Sequence, residues 1–335
     1  MKIKPWLWLP PRLAHELSPL AIDLISHFFD DAIPEWKPLT WRKLHFKNRL
    51  GLAGGIDKNA DHLAAWQRLG AGFVEVGTIT PRAQKPNPGV IFDRSIPDGA
   101  LWNRMGFPSL GCDEAYYNLR NFKPESNMPI LVNIGKNRDT PNEMAADDYS
   151  FLIEKLHEVA DAFVVNISSP NTKGLRDLTK KEFLNGFLKP IKTTQNHFAP
   201  DRPLLIKLSP DLETDDLKRI IDICLQNEID GFVLTNTTLE RTTQKSFSPE
   251  GGVSGKPVSE LSKRALRTTI DHLGAEKREK LVISVGGVMT SADVFERLSM
   301  GADLVEVYTA LILSGLHFFR KVERAAHEHD KTFFS

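Results

Sequence analysis

Asn166-Ile-Ser-Ser-Pro-Asn-Thr172 follows an apolar run, Ala162 to Val165, that reads as a buried parallel strand. Amides, hydroxyls and a proline thus sit where such a strand emits its loop, the place where α/β folds keep their chemistry. A plain polar turn has the same composition, so the other strand ends decide. They form a series: Gly54-Gly55-Ile56-Asp57-Lys58, Gly77-Thr78, Asn133-Ile134-Gly135-Lys136-Asn137, then Asn166 and Ser169, Lys207, Thr235-Asn236-Thr237-Thr238, Gly286-Gly287 and Tyr308-Thr309. Two lysines and several amides around one mouth are costly to desolvate unless something polar fills the centre. The glycine pair and Tyr308-Thr309 fall at the last two strands, where barrels bind phosphate through backbone N–H groups, and Gly251 to Gly255 can add donors. The other groups suit a flat heterocycle with carbonyl and imide edges. Flavin mononucleotide (FMN) fits, with Lys207 near the electron-rich N1–C2=O edge of its reduced ring. The ten histidines form no ligand pair with a nearby carboxylate or cysteine set, so no metal is expected.

The elements that must position these residues are legible as short β-branched runs: Leu50–Ala53, Phe73–Val76, Ile130–Ile134, Phe163–Ile167, Leu204–Leu208, Phe232–Leu234, Val282–Val285 and Leu304–Val307. Helical patterns lie between most of them: Asp147–Ala160, Thr214–Gln226, Ser259–Leu273 and Ser291–Leu298. Leu217, Ile220, Ile221 and Cys224 keep the spacing of a core-facing stripe, which makes Cys224 a small core residue. Alternating strands and helices imply a parallel sheet buried on both faces. Eight units, without Gly-x-Gly-x-x-Gly after the first strand, favour a (β/α)8 TIM barrel over a doubly wound sheet.

Composition closes off other classes. Lysine plus arginine equals aspartate plus glutamate at 43 each, so no basic field recruits nucleic acid. Two cysteines give no disulfide framework, and no apolar stretch reaches the roughly 18 residues that span a bilayer. Two segments break the repeat. Residues 79–128 are too long for an ordinary βα loop and, with Pro81, Pro86, Pro88 and Pro97, read as an irregular lid. Residues 1–45 read as a helical extension, with Ser18 as N-cap, Pro19 at the first helical position and Pro34 as the stop. Leu20, Leu24, Ile25, Phe28 and Phe29 give that helix an apolar side, and Trp6, Trp8, Trp36 and Trp41 surround it. Such a segment either packs on the barrel or dips into a membrane interface.

The whole chain resembles the quinone-dependent, membrane-associated class of dihydroorotate dehydrogenases. The matching motifs are Phe-Lys-Asn-Arg-Leu-Gly-Leu-Ala-Gly-Gly-Ile-Asp-Lys (46–58), Gly-Thr-Ile-Thr-Pro-Arg (77–82), Asn-Arg-Met-Gly-Phe (103–107), Asn-Ile-Gly-Lys-Asn (133–137), residues 166–172, Thr-Asn-Thr-Thr (235–238), Gly-Gly-Val-Ser-Gly (251–255) and Val-Gly-Gly-Val (285–288). The resemblance implies oxidation of dihydroorotate to orotate in pyrimidine synthesis, FMN as hydride acceptor and a membrane quinone as final acceptor. It implies Ser169 as the base that takes the C5 proton, where the cytosolic class carries cysteine. It implies substrate contacts from Lys58, Asn103, Arg104, Met105, Gly106, Phe107, Asn166, Asn171, Asn236 and Thr237. FMN contacts carry over to Gly54, Gly55, Ile56, Asp57, Lys58, Thr78, Asn133, Asn166, Lys207, Thr235, Gly255, Gly287, Tyr308 and Thr309. His15, Arg94 and Tyr308 match the polar lining of a quinone tunnel under the N-terminal segment. The division implied is 1–45 for membrane and quinone access and 46–335 for the catalytic barrel. The chain is thus expected to be a monomer held peripherally on the cytoplasmic face of the inner membrane. It departs from the family pattern at Gly54 (usually Ala), Arg49 (usually Pro), Thr309 (often Ser) and Asp93, an acid in an apolar place that could pair with Arg94 and alter the quinone end.

Overall fold

The computed structural model describes residues 4–122 and 127–333, with side chains to residue 328. Residues 1–3 of the extension, 123–126 of the expected lid and 334–335 lie outside that range. Eight parallel strands close into a barrel: β1 (Leu50–Leu52), β2 (Phe73–Ile79), β3 (Ile130–Ile134), β4 (Ala162–Asn166), β5 (Leu204–Leu208), β6 (Gly231–Leu234), β7 (Leu281–Val285) and β8 (Leu304–Val307). β8 returns to β1 in the register Glu306↔Gly51 and completes the ring.

Side chains alternate across a strand, so every second residue points into the barrel. The inward set changes character along each strand. Phe73, Leu131, Val164, Leu205, Val233 and Leu304 form an apolar layer inside. Two residues further on, Glu75, Asn133, Asn166, Lys207, Thr235 and Glu306 form a buried polar layer at the C-terminal end. The outward residues pack on the helices. Leu217, Ile220, Ile221 and Cys224 of the helix Thr214–Gln226 are all buried, and each aliphatic side chain contributes roughly 1.5–3 kcal/mol. The helix Ser259–Leu273 has the expected limits, and the one expected from Asp147 spans Ala145–Leu156.

Three regions differ from the sequence expectation. The N-terminal helix spans Pro11–Ser26, so Ser18 and Pro19 lie inside it. Pro19 has no N–H for the carbonyl of His15, four residues back, and the Ser18 hydroxyl donates to that oxygen instead at 2.8 Å. Ser18 therefore repairs a gap rather than capping an end. Second, the described part of the lid carries regular elements. Strands Phe92–Ser95 and Ala100–Asn103 form a hairpin that gains a third strand, Gly252–Gly255, from the loop after β6, and a helix Cys112–Asn121 follows. Pairing of segments some 150 residues apart leaves no local signal. Third, residues 39–46 form a hairpin, Leu39–Trp41 with Leu44–Phe46, that plugs the barrel floor. Phe46 meets Phe73 edge-on at 5.6 Å between ring centroids.

Candidate active site

The polar layer opens into a cleft of about 980 Å³, counted out to where it meets solvent. Its base is a chain of hydrogen bonds across four strands. Lys207 Nζ donates to Glu75 Oε1 at 2.6 Å, and Asn133 Nδ2 donates to the same oxygen at 2.7 Å. Asn166 Nδ2 donates to Asn133 Oδ1 at 3.2 Å and to Thr78 Oγ1 at 3.0 Å. Asn236 Nδ2 then donates to Ser168 Oγ at 3.0 Å, and Ser168 donates to Asn166 Oδ1 at 3.0 Å. Each amide is oriented by its neighbour, so the edge presented to a ligand is fixed beforehand.

Glycines shape the wall. A Cβ at Gly287 would lie 2.3 Å from Ser259 Cα, and one at Gly255 would lie 2.1 Å from the Gly99 carbonyl oxygen. Both also hold left-handed φ angles, 76° and 89°, which glycine adopts without penalty. Across from them Ser254 Oγ and Thr309 Oγ1 are 2.9 Å apart. At Gly54, where the family pattern has Ala, a Cβ would sit 2.1 Å from Glu75 Oε1. The departure therefore makes room for that carboxylate.

Ser169 faces this cleft and is nearly buried. Its Oγ accepts from the Asn171 N–H at 3.2 Å, which leaves its own proton directed elsewhere. The Asn171 amide donates to Asn103 Oδ1 at 2.9 Å, while its Oδ1 is buried with no partner. Lys58 lines the same wall, and burial lowers its pKa to about 8. Among the described residues no carboxylate lies within ion-pair distance of it. A cation, a hydroxyl proton and an amide oxygen without protein partners around one space make a setting that suits a polar ligand.

The cleft brings together most of the residues singled out in the sequence: Gly54, Gly55, Lys58, Thr78, Asn103, Met105, Gly106, Phe107, Asn133, Asn166, Ser169, Asn171, Lys207, Thr235, Asn236, Thr237, Gly255, Gly287, Tyr308 and Thr309. Three side chains belong elsewhere. Ile56 packs against the hydrophobic core. The Asp57 carboxylate accepts from the backbone N–H groups of Asp61 and His62 and from the Trp66 indole, so it anchors the start of a helix. Arg104 turns to Glu250 at 2.5 Å and to the Pro88 carbonyl at 2.6 Å. The strand runs concealed two functional candidates, Glu75 and Glu306, because each stands alone among β-branched neighbours. Period-two alternation, which places both inward, was the signal available.

The N-terminal helix packs on the helix Leu63–Leu69 and on the lid strand Phe92–Ser95, and neither His15 nor Arg94 lines the cleft itself. His15 stacks on Phe92 at 4.7 Å, and Arg94, on the same strand face as Phe92, donates to the carbonyls of Leu7 and Leu9. Desolvation, and then the positive charge of Lys58, pull the His15 pKa down to about 4, so its imidazole is neutral at physiological pH. Asp93 does not pair with the Arg94 guanidinium. It binds Lys245 at 2.6 Å and accepts only the backbone N–H of Arg94, because the two side chains leave opposite faces of the strand. Burial raises the Tyr308 phenol to about 12.

A family model described as dihydroorotate dehydrogenase matches residues 39–329. The dihydroorotate dehydrogenase (quinone) of Idiomarina loihiensis is 41% identical, over 96% of this chain and 98% of its own length. The protein of the same name from Vibrio parahaemolyticus is 40% identical, with 88% of each chain covered. Among solved structures, DHODH in complex with ferulenol from Eimeria tenella superposes with a TM-score of 0.84 at 32% identity, covering 94% of this chain and 90% of that one. With its closed barrel and its cleft built at the strand ends, the chain belongs to the dihydroorotate dehydrogenase family.

Proposed function

We propose that this protein oxidises dihydroorotate to orotate in pyrimidine synthesis, with FMN held in the barrel cleft and a membrane quinone as final electron acceptor. The observation that carries the reading is the convergence of Ser169, Lys58 and the asparagines on one glycine-walled cleft. The cleft fits a flavin nucleotide on its own terms. Gly255 and Gly287 line the cleft as bare backbone, where a phosphate can meet N–H groups, and Lys207 offers a cation to the polar edge of the ring. When bound, the flavin supplies the hydride acceptor and the relay of two electrons to the quinone, which leaves as the quinol.

The substrate loses a proton from C5 and a hydride from the adjacent carbon, which creates the ring double bond. Ser169 is read as the group that takes the proton. A hydroxyl is a weak base, so Ser169 depends on exclusion of water and on the Asn171 N–H that orients its oxygen. Lys58 neutralises the substrate carboxylate, while Asn103, Asn166, Asn171 and Asn236 match the imide donors and acceptors of the ring. Met105, Gly106, Phe107 and Thr237 complete the wall.

The N-terminal segment is read as the quinone entrance and membrane contact. Trp8, Leu13, Leu17, Leu20, Leu24 and Phe28 are exposed, and most follow the spacing of one helix face. His15, Arg94 and Tyr308 are read as the polar groups on the quinone's way from that face to the cleft. Among the described residues no helix is long and apolar enough to cross a membrane. The contact is read as peripheral, on the cytoplasmic side, by a monomer. The extension is taken as residues 1–45, with its last strands packed under the barrel.

The test is anaerobic. The purified protein is expected to be yellow, and dihydroorotate is expected to bleach it without oxygen. Ser169→Ala should keep the colour and slow bleaching by about 10²–10⁴-fold. A folded protein that cannot be loaded with FMN, or a Ser169→Ala variant that bleaches at the parent rate, refutes the corresponding part.

A further inference from the structure

Glu75 and Glu306 are fully buried at the base of the cleft, on the strands that flank β1. Between them β1 turns in only Gly51, followed by Ala53, so no bulky side chain separates the two carboxyl groups. Lys207 Nζ lies 2.6 Å from Glu75 Oε1 and 3.7 Å from Glu306 Oε2. Only Glu75 Oε1 is well satisfied, by Lys207 and Asn133. Glu75 Oε2 and both Glu306 oxygens are buried with no donor among the described residues.

Two ionised carboxylates beside one ammonium would leave a net negative charge in a dry barrel, and such sites shed charge by holding a proton. A carboxylic acid is also a donor. One proton on Glu306, given to Glu75 Oε2, removes two unmet acceptors at once. Burial first, and the Glu75 carboxylate second, push Glu306 well above the ordinary carboxyl range against the pull of Lys207. Despite burial, Glu75 and Glu306 hold the Lys207 ammonium above its usual value. These are the charged groups that act on Glu306.

We propose that Glu75 and Glu306 share one proton beneath the cleft, so that the Glu75–Lys207–Glu306 cluster carries no net charge and Glu306 acts as a positioning residue for the Lys207 ammonium. The functional half rests on the flavin reading above. Negative charge gathers at the N1–C2=O edge of a flavin on reduction, and an ammonium offset by one carboxylate rather than two favours it. The cluster would thus set the cofactor's potential without touching substrate.

Two readouts test this. In infrared spectra of the protein as purified, a protonated-carboxyl stretch that shifts in D2O should persist well above the pH at which ordinary carboxyls ionise. It should vanish in both Glu306→Gln and Glu75→Gln, because the remaining carboxylate then pairs alone with Lys207. Each single variant also keeps the cluster neutral. The reduction equilibrium of the flavin should therefore stay within about tenfold of the parent, about 30 mV for two electrons. No such band in the parent overturns the shared proton, and this arm survives if the variants fail to fold. Upward shifts beyond about 30 mV in both variants would show two ionised carboxylates and overturn it as well. A colourless protein that retains the band sinks the flavin reading and leaves the shared proton standing.

Discussion

Lys58 shows how one side chain links burial to substrate choice. The cleft desolvates it, and the charges of Asp57 and Asp61 offset this only in part, so its pKa falls to about 8. The charged form binds a carboxylate and the neutral form does not, so binding is complete below that value and lost as pH rises through it. A bound anion restores the proton, so the loss belongs to the free enzyme. We therefore expect kcat/KM for dihydroorotate to decline above about pH 8 while kcat stays flat over the same range. Lys58→Met should abolish that break and cost about 3 kcal/mol, or about 100-fold in kcat/KM. A break at the same pH in the variant would assign it to another group. Glu75 and Glu306 mark the limit of sequence reading at this scale. Each occupies a strand run that looks apolar, and alternation turns both inward, but only the closed ring shows that both meet Lys207.

The loop that carries Ser169 is held by Arg176, in the short helical turn Leu175–Thr179. Its guanidinium donates to the Ser168 carbonyl at 2.9 Å, to Asp211 Oδ2 at 2.7 Å and to the Thr237 carbonyl at 3.1 Å. One side chain thus ties the loops after β4, β5 and β6 together over the cleft. Asp211 also receives the Thr238 hydroxyl and the Leu239 N–H, so the anchor is itself fixed. Arg176→Ala should slow bleaching by dihydroorotate about ten- to a hundredfold through misplacement of Ser169, leave flavin content unchanged and speed protease cleavage within 169–178. Equal protease resistance in the two proteins would show that the latch holds nothing. Seven of the eight strands and three of the four helices were legible to within one residue, the strands as short apolar runs buried on both faces and the helices through the period that one buried face stamps on the sequence. The Arg176 latch and the lid sheet were not. They join segments distant in the chain, through single polar contacts and through backbone pairing that takes any side chain.

At the scale of the molecule, the barrel and the extension share residues that the sequence divides differently. Ile33 and Trp36 are buried in the main core, and the Trp36 N–H donates to the Lys47 carbonyl. The helix Pro11–Ser26 is attached more lightly. It buries Ile22 and Ser26, and Asp23 meets His62 at 2.9 Å. Before it, Lys4 and Trp6 donate to the carbonyls of Leu313 and Ile312. A deletion that probes the entrance should thus end near residue 30, because cutting to residue 40 removes core. Losing residues 1–30 should leave anaerobic bleaching near the parent rate and impair reoxidation by a quinone dissolved in vesicles. The outward stripe gives a finer probe. Leu20, Leu24 and Phe28 are 71%, 68% and 81% exposed, so replacing them costs the fold little. Burying each in lipid is worth about 1.5–3 kcal/mol. Leu20→Glu with Phe28→Glu should weaken cosedimentation with neutral phosphatidylcholine vesicles at least tenfold. Because the chain has no net charge, raising salt should leave the parent's binding unchanged. Salt-sensitive binding, or binding that survives both substitutions, would place the membrane contact on another face.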